Sequence, residues 1–309
     1  MLDSPEYSSG APAALLFTMP SCLYYVMVKK YLAGTLVGLV ALVIGIVWQW
    51  PDGNVHMVAC DVGQGDGILI WKGSVQAVVD GGPDNKIIDC LSRFVPFWDR
   101  TIELVVLTHP EADHMTGLVQ VLDRYRVNQL VTGNVAKDTQ VFRMFKEKVV
   151  ENQVPVHIAV AGEQIRVNGL EFRVVNPQRI EDERVLGARL MDEGINEVSV
   201  VVKLEYGKFG ALLTGDIGSD TERVLLNSGA NLLSNVLKVG HHGSRFSSSE
   251  EFLEAVKPAV ALVSVGKNRY GHPTSEALER LKSVGARILR TDEEGDIEII
   301  SDGQRMWVK

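Results

Sequence analysis

Residues 31–50 read YLAGTLVGLVALVIGIVWQW, a run without a charged side chain in which Thr35 and Gln49 are the clearly polar members. Its length matches the roughly 20 residues that cross a bilayer as a helix. Tyr31, Trp48 and Trp50 mark the ends as an aromatic belt does, and Lys29 and Lys30 flank the N-terminal side. This pattern predicts one transmembrane helix, a cytoplasmic N-terminus and the remaining chain on the extracytoplasmic side. No small-x-small cleavage site follows, so a retained anchor is expected over a cleaved signal peptide. Gly34-x-x-x-Gly38 is a weak helix-pairing pattern. Residues 1–30 carry Pro5, Pro12 and Pro20 without a useful period and are expected to be poorly ordered, and Met27 is a second candidate start.

From Pro51 to Lys309 short apolar runs alternate with amphipathic stretches. Strands are expected at residues 55–60, 67–71, 75–80, 102–108, 129–131, 155–159, 198–204, 210–213, 236–239, 260–264, 287–290 and 296–300. Helices are expected at 87–97, 115–125, 139–149, 250–256 and 275–284, with another running from Asp216 through 226. Residues 163–167 and 169–175 flank Asn168-Gly169, a hairpin turn signal. Ser248 with Glu251 forms a capping-box pattern, and Thr274 stands where it can cap the following helix. Residues 178–193 are polar and read as an irregular loop near the site. Two halves with the same alternation predict an α/β fold of two sheets packed face to face, with helices outside and a site along one edge.

Composition narrows the function classes. The chain has 309 residues, 46% hydrophobic and 23% charged, with a net charge of -8. Residues 1–50 contain two acids, Asp3 and Glu6, and two bases, Lys29 and Lys30, so the acidity belongs to residues 51–309. Such a chain does not hold nucleic acid by phosphate contacts alone; if it acts on a phosphodiester, bound metal must supply local positive charge. The three cysteines, Cys22, Cys60 and Cys90, lack metal-site spacing and read as small apolar residues, with a Cys60–Cys90 bridge left open for an oxidising compartment.

The densest chemistry is His109-Pro110-Glu111-Ala112-Asp113-His114, where His109, Glu111, Asp113 and His114 follow a buried strand. Further candidates also stand at strand exits: Asp216 after the run 210–213, His241 and His242 after 236–239, and His272 beyond 260–264. His56 and His157 fall inside strands and read as structural. Imidazole with carboxylate and no thiolate suits zinc, manganese or iron, and three carboxylates favour manganese. Asp216 is placed to bridge two ions, of which one can acidify a water while both stabilise the attacked centre. For His242 and His272 a general-acid or phosphate-binding role competes with ligation. The bland alternatives are helix N-caps for Asp113 and Asp216 and turn-side histidines for the rest. Asp66, in a glycine-dense loop that reads first as a tight turn, and Asp80, before Gly81-Gly82, are candidates to orient a ligand from behind.

In order, DVGQGD (61–66), DGG (80–82), THPEADH (108–114), LLTGD (212–216), KVGHHGS (238–244) and YGHP (270–273) resemble the metallo-β-lactamase superfamily. More narrowly, they resemble the extracellular metallo-β-lactamase-like domain of ComEC-type DNA-internalisation competence proteins, over about residues 54–301. The resemblance implies an αββα sandwich over 51–309 and two divalent metal ions, manganese or zinc. His109, Asp113, His114, Asp216 and His241 match ligand positions, with Asp113, His242 and His272 expected in catalysis. Glu111 stands where much of the superfamily has a second histidine, which argues against a β-lactamase, lactonase or glyoxalase. Between His114 and Asp216, where many members supply a histidine ligand, His157 is the one histidine present. Asn196, Ser199 and Ser244 are expected near substrate. The implied activity is that of a phosphodiesterase or nuclease, with single-stranded DNA or another phosphodiester as partner. One expected span, where competence channels have many, implies an anchored relative that cannot form the DNA channel by itself. Two other readings use the same residues: a hydrolase of another ester, phosphocholine-type or lactone, and a non-catalytic binding module. Fold alone does not separate them.

Overall fold

The computed structural model describes residues 21–48, 52–178 and 194–309. The expected disordered stretch up to residue 20, the end of the expected span at 49–50 and nearly all of the loop 178–193 lie outside the described residues. Contacts divide the chain into two units, Met1–Trp50 and Pro51–Lys309.

The first unit contains α1 (Ser21–Trp48). Its described side chains from residue 29 to 42 are all exposed, among them Leu32, Leu36, Val37, Leu39 and Val40. Among the described residues, no helix is long and apolar enough to cross a membrane.

The second unit is built on two sheets. Its first half supplies β1 (Val55–Ala59), β2 (Ile68–Lys72), β3 (Val75–Val79), α2 (Lys86–Phe94), β4 (Thr101–Ile102), β5 (Leu104–Leu107), α3 (Ala112–Arg124), β6 (Arg126–Val127), β7 (Leu130–Thr132), α4 (Gln140–Glu151) and β8 (Val156–Ile158). The hairpin β9 (Gln164–Val167) and β10 (Leu170–Asn176) follows, turning at Asn168-Gly169 as expected, with both residues at positive φ. Then come β11 (Val201–Tyr206), β12 (Phe209–Leu213), α5 (Ser219–Asn227), β13 (Val236–Lys238), α6 (Glu250–Val256), β14 (Val260–Val263), α7 (Ser275–Ser283), β15 (Arg287–Arg290), α8 (Thr291–Glu294), β16 (Ile297–Ser301) and β17 (Met306–Val308).

One sheet has the order β17-β16-β1-β2-β3-β5-β7-β8, the other β15-β14-β13-β12-β11-β10-β9. Successive strand residues point to opposite faces, so strands buried on both sides must be apolar at every position. Met57 and Val58 illustrate this. Met57 joins Ile70, Phe172, Leu204, Leu262 and Ile299 between the sheets. Val58 packs outward with Leu69 and Val105 against Leu91, Leu118 and Val149 of the flanking helices. On the far side Leu212, Leu237 and Ala261 meet Leu225, Phe252 and Leu281. The result is the expected helix–sheet–sheet–helix sandwich.

Two local expectations change. Cys60 and Cys90 are joined in a disulfide, with Cα atoms 5.9 Å apart, rather than standing as separate apolar residues. The Ser248–Glu251 capping box does not form, because Glu222 of α5 reaches across and accepts from the Ser248 and Ser249 amides instead. Thr274 does cap α7, accepting from the Ala277 amide at 3.3 Å.

Strands β12, β13 and β14 run parallel, so their carboxyl ends emerge at one edge. Thr214-Gly215-Asp216, the turn at Gly240–Gly243 and the segment from Ser264 leave from those ends. This is the usual place for a site in such sheets. The loop after β5 joins them, since the Val200 amide donates to the Thr108 carbonyl at 2.8 Å.

Candidate metal centre

The site begins with the turn from β5 into α3. Asp113 and His114 lie in the first turn of α3, with Glu111 at its N-cap position. Two glycines allow this turn to be gripped closely. A Cβ on Gly65 would lie 2.2 Å from the Asp113 carbonyl oxygen, and one on Gly117 would lie 1.9 Å from the Gly81 carbonyl oxygen. The DVGQGD and DGG segments are therefore the backbone bed of the metal-ligand turn, which is more than the tight turn expected for the first of them.

Three histidines share one arrangement. His114 Nδ1 donates to Asp80 Oδ2 at 2.8 Å. His242 Nδ1 donates to the Ser264 carbonyl at 2.8 Å. His109 Nδ1 lies 3.0 Å from Thr108 Oγ1, whose proton goes to Asp80 Oδ2 at 2.7 Å. Each imidazole is thus held by Nδ1, while the Nε2 atoms of all three are buried without a hydrogen-bond partner. Holding one ring nitrogen from behind fixes the tautomer and leaves the other free for a metal. Asp216 Oδ2 lies 3.3 Å from His114 Nε2 and 3.3 Å from His242 Nε2, and Asp113 Oδ2 is 3.5 Å from His242 Nε2. Ligand atoms of Asp113, His114, Asp216 and His242 fall within 4.8 Å of one another, close enough to hold a metal ion. The unpartnered buried Nε2 atoms and the imidazole–carboxylate donor set fit a divalent cation.

The two adjacent histidines exchange the positions expected of them. His242, not His241, enters this group. Both sit at left-handed φ, 48° and 53°, so their side chains diverge, and the Ser264 carbonyl draws His242 inward. His241 stays on the cleft wall, its ring centroid 5.5 Å from that of His272. Glu111 also lines the cleft but is ion-paired with Lys137 and outside the four-residue group. His109 is buried beside the group, its centroid 4.1 Å from that of His114.

The cleft measures about 180 Å³ and is lined by Gln64, Glu111, Asp113, Asn196, Asp216, His241, His242, Tyr270 and His272. Asn196 is therefore where a substrate contact was expected. Ser199 and Ser244 are not: Ser199 Oγ donates to the Asn196 carbonyl at 2.6 Å, and Ser244 Oγ accepts from the Phe246 amide at 3.3 Å. Both are turn-forming hydroxyls away from the cleft lining. Asp80 accepts from the Thr108 amide as well as from His114. Asp66 meets a residue the sequence reading missed, Lys238, whose Nζ lies 2.6 Å from Asp66 Oδ2. The available signal was a lysine at the end of an otherwise apolar buried strand.

Burial and charge set the proton balance before metal enters. Burial would lower His242, but the Asp216 charge and the close Asp113 and Asp216 carboxylates hold it at about 9. His114 is likewise lowered by burial, yet Asp216 and Asp80 raise it well above the usual imidazole value. Asp113 would be raised by burial, but the close His242 imidazole and the His114 charge bring it to about 2. His109, His241 and His272 are lowered, burial being the main cause.

A family model of the metallo-β-lactamase superfamily matches residues 60–267. The chain is 29% identical to ComE operon protein 3 of Bacillus subtilis over 93% of its own length and 39% of that protein. It is 26% identical to competence protein ComA of Neisseria gonorrhoeae, covering 96% of this chain and 40% of that one. The chain thus spans about two fifths of the curated relatives it matches. Among solved structures, the metallo-β-lactamase fold protein YhfI of Bacillus subtilis superposes with a TM-score of 0.55 at 10% identity, over 80% of this chain and all of that one, a likeness of fold alone. The strand-end ligands, the two-sheet sandwich and the match over residues 60–267 place this chain in the metallo-β-lactamase superfamily, among relatives of the ComEC-type competence proteins.

Proposed function

We propose that the Pro51–Lys309 unit is a metal-dependent phosphodiesterase acting on nucleic acid, with single-stranded DNA as the expected substrate. The observation that carries this reading is the set of three Nδ1-anchored imidazoles whose buried Nε2 atoms lack partners beside Asp113 and Asp216. Asp113, His114, Asp216 and His242 would hold one divalent ion, manganese or zinc. His109 and Glu111 would serve a second, with Asp216 shared, once Glu111 leaves Lys137. Such ions supply Lewis acidity toward a phosphoryl oxygen and acidify water. His241 and His272 face each other across the cleft wall, where each can donate an N–H to a phosphoryl or leaving oxygen. Tyr270 is 75% exposed, lines the cleft and lies over His272 with centroids 5.8 Å apart, a suitable platform for a base. ComE operon protein 3 and competence protein ComA lend the DNA reading its direction.

The test is cleavage of a single-stranded oligonucleotide by the full chain with manganese or zinc. Parent activity that Asp113→Ala abolishes is the expected result. No turnover with either metal sinks the phosphodiesterase reading.

We also propose that α1 anchors the chain and that the catalytic unit lies on the extracytoplasmic side. Support comes from the exposed apolar side chains of α1, Lys29 and Lys30 at its N-terminal side, and the Cys60–Cys90 disulfide, which belongs in an oxidising compartment. Protease digestion of intact spheroplasts is expected to remove the catalytic unit; full protection would place it inside.

A further inference from the structure

Lys238 ends β13, and its side chain is 1% exposed. A buried ammonium costs several kcal/mol unless it is paired and hydrogen-bonded. Here two separate segments provide for it. Nζ lies 2.6 Å from Asp66 Oδ2 in the DVGQGD loop, donates to the Gly215 carbonyl at 3.1 Å, and stands 3.7 Å from Asp216 Oδ1. Asp216 Oδ1 is itself buried without a hydrogen-bond partner. The ammonium is thus the cation facing that oxygen, while Oδ2 faces His114 and His242.

We propose that Lys238 is a positioning residue for the metal centre: by drawing Asp216 Oδ1 inward and clamping the Gly215 carbonyl, it fixes Asp216 with Oδ2 presented to an incoming divalent ion. This rests on the reading that the cluster binds such an ion. Gly215 lets this turn pack closely: it has φ +55°, and a Cβ there would lie 2.9 Å from Thr108 Cβ, so the clamped carbonyl belongs to a turn with little room to shift. The inferred role differs from simple partnership with Asp66, which would be satisfied by neutralising both residues together.

Manganese binding by isothermal titration calorimetry on the full chain distinguishes the two. Lys238→Met alone strands a buried carboxylate and risks the fold, so the decisive variant is Asp66→Asn/Lys238→Met, which removes both charges at similar volume. It is expected to melt within a few degrees of the parent and to bind manganese at least about tenfold more weakly than Asp66→Asn alone, which controls for the approach of Asp66 to His114 and His242 at 3.8 and 3.6 Å. A double variant that binds manganese as tightly as Asp66→Asn overturns the proposal and leaves Lys238 as the partner of Asp66. A parent chain that binds neither manganese nor zinc defeats the metal reading itself, a separate outcome visible before any variant is made.

Discussion

Metal binding at this centre should be an exchange of protons for the ion, and its size can be worked from His242. With His242 at about 9, roughly 1% of it is neutral at pH 7, because each pKa unit is a factor of ten. Freeing Nε2 at pH 7 therefore costs about 3 kcal/mol, or about a hundredfold in apparent affinity. His114, also raised, must release its Nε2 proton while keeping the Nδ1 proton that binds Asp80. Asp113, at about 2, is already ionised and releases none. About two protons should leave per ion at pH 7, so apparent affinity should climb steeply from pH 6 to 8. Calorimetric titration of the full chain with manganese in buffers of different ionisation enthalpy reads the proton count from the slope of observed enthalpy. His242→Asn should lower the count by one. A count near zero in the parent, or affinity flat across that pH range, would refute the assignment of His114 and His242 as ligands.

Other expectations test separate parts of the structure. Asp216→Asn should remove cleavage and most metal binding while the chain stays folded, checked by circular dichroism beside calorimetry. Tyr270→Ala should raise KM for a single-stranded oligonucleotide at least about fivefold, given about 1–3 kcal/mol per stacked base, and leave turnover of a small aryl phosphodiester unchanged. Replacing Cys60 and Cys90 by serine opens a 30-residue separation and should lower stability by about 3.5 kcal/mol in denaturant titration. Gly117→Ala drives a Cβ onto the Gly81 carbonyl and should destabilise the second unit by about 1–3 kcal/mol, read as a lower melting temperature.

What the sequence could reveal was whatever depends on neighbours in the chain. Strand β5, its exit into His109 and the start of α3 are legible because apolar period and residue type change over a few positions. The same holds for Asp216, His272 and the Asn168-Gly169 turn. The assignment between His241 and His242 was not legible, because it depends on two left-handed residues and on a carbonyl 22 positions away. The pairing of Glu111 with Lys137 was not legible, because nothing local points to a residue 26 positions on. Ser199 and Ser244 looked like substrate groups because a hydroxyl beside a site is indistinguishable, in sequence, from one closing its own turn. Lys238 went unremarked because its carboxylate partners, Asp66 and Asp216, converge on it only through the topology. The Cys60–Cys90 pairing similarly required β1 and α2 to be brought together.

Charge explains why the fold can present this centre before any ion arrives. Asp66, Asp80, Asp113 and Asp216 lie together; burial raises Asp80, while the His114 charge and the hydrogen bonds it accepts from His114 and Thr108 oppose that. Against them stand Lys238 and, without metal, the protonated His114 and His242. Replacing the two imidazole protons by one divalent ion leaves the net charge unchanged, so metal entry need not disturb the buried balance. The sign with pH follows. His242 has a folded pKa above its unfolded value near 6.5, so its contribution to the metal-free protein is fully present below about 6.5 and lost as pH rises through about 9. Metal binding runs the other way and strengthens over that interval. Chelator-treated protein should therefore melt at a similar temperature to the metal-loaded form near pH 6 and well below it near pH 9. A gap that stays constant between those pH values would mean that protons and ion do not compete for the same nitrogens.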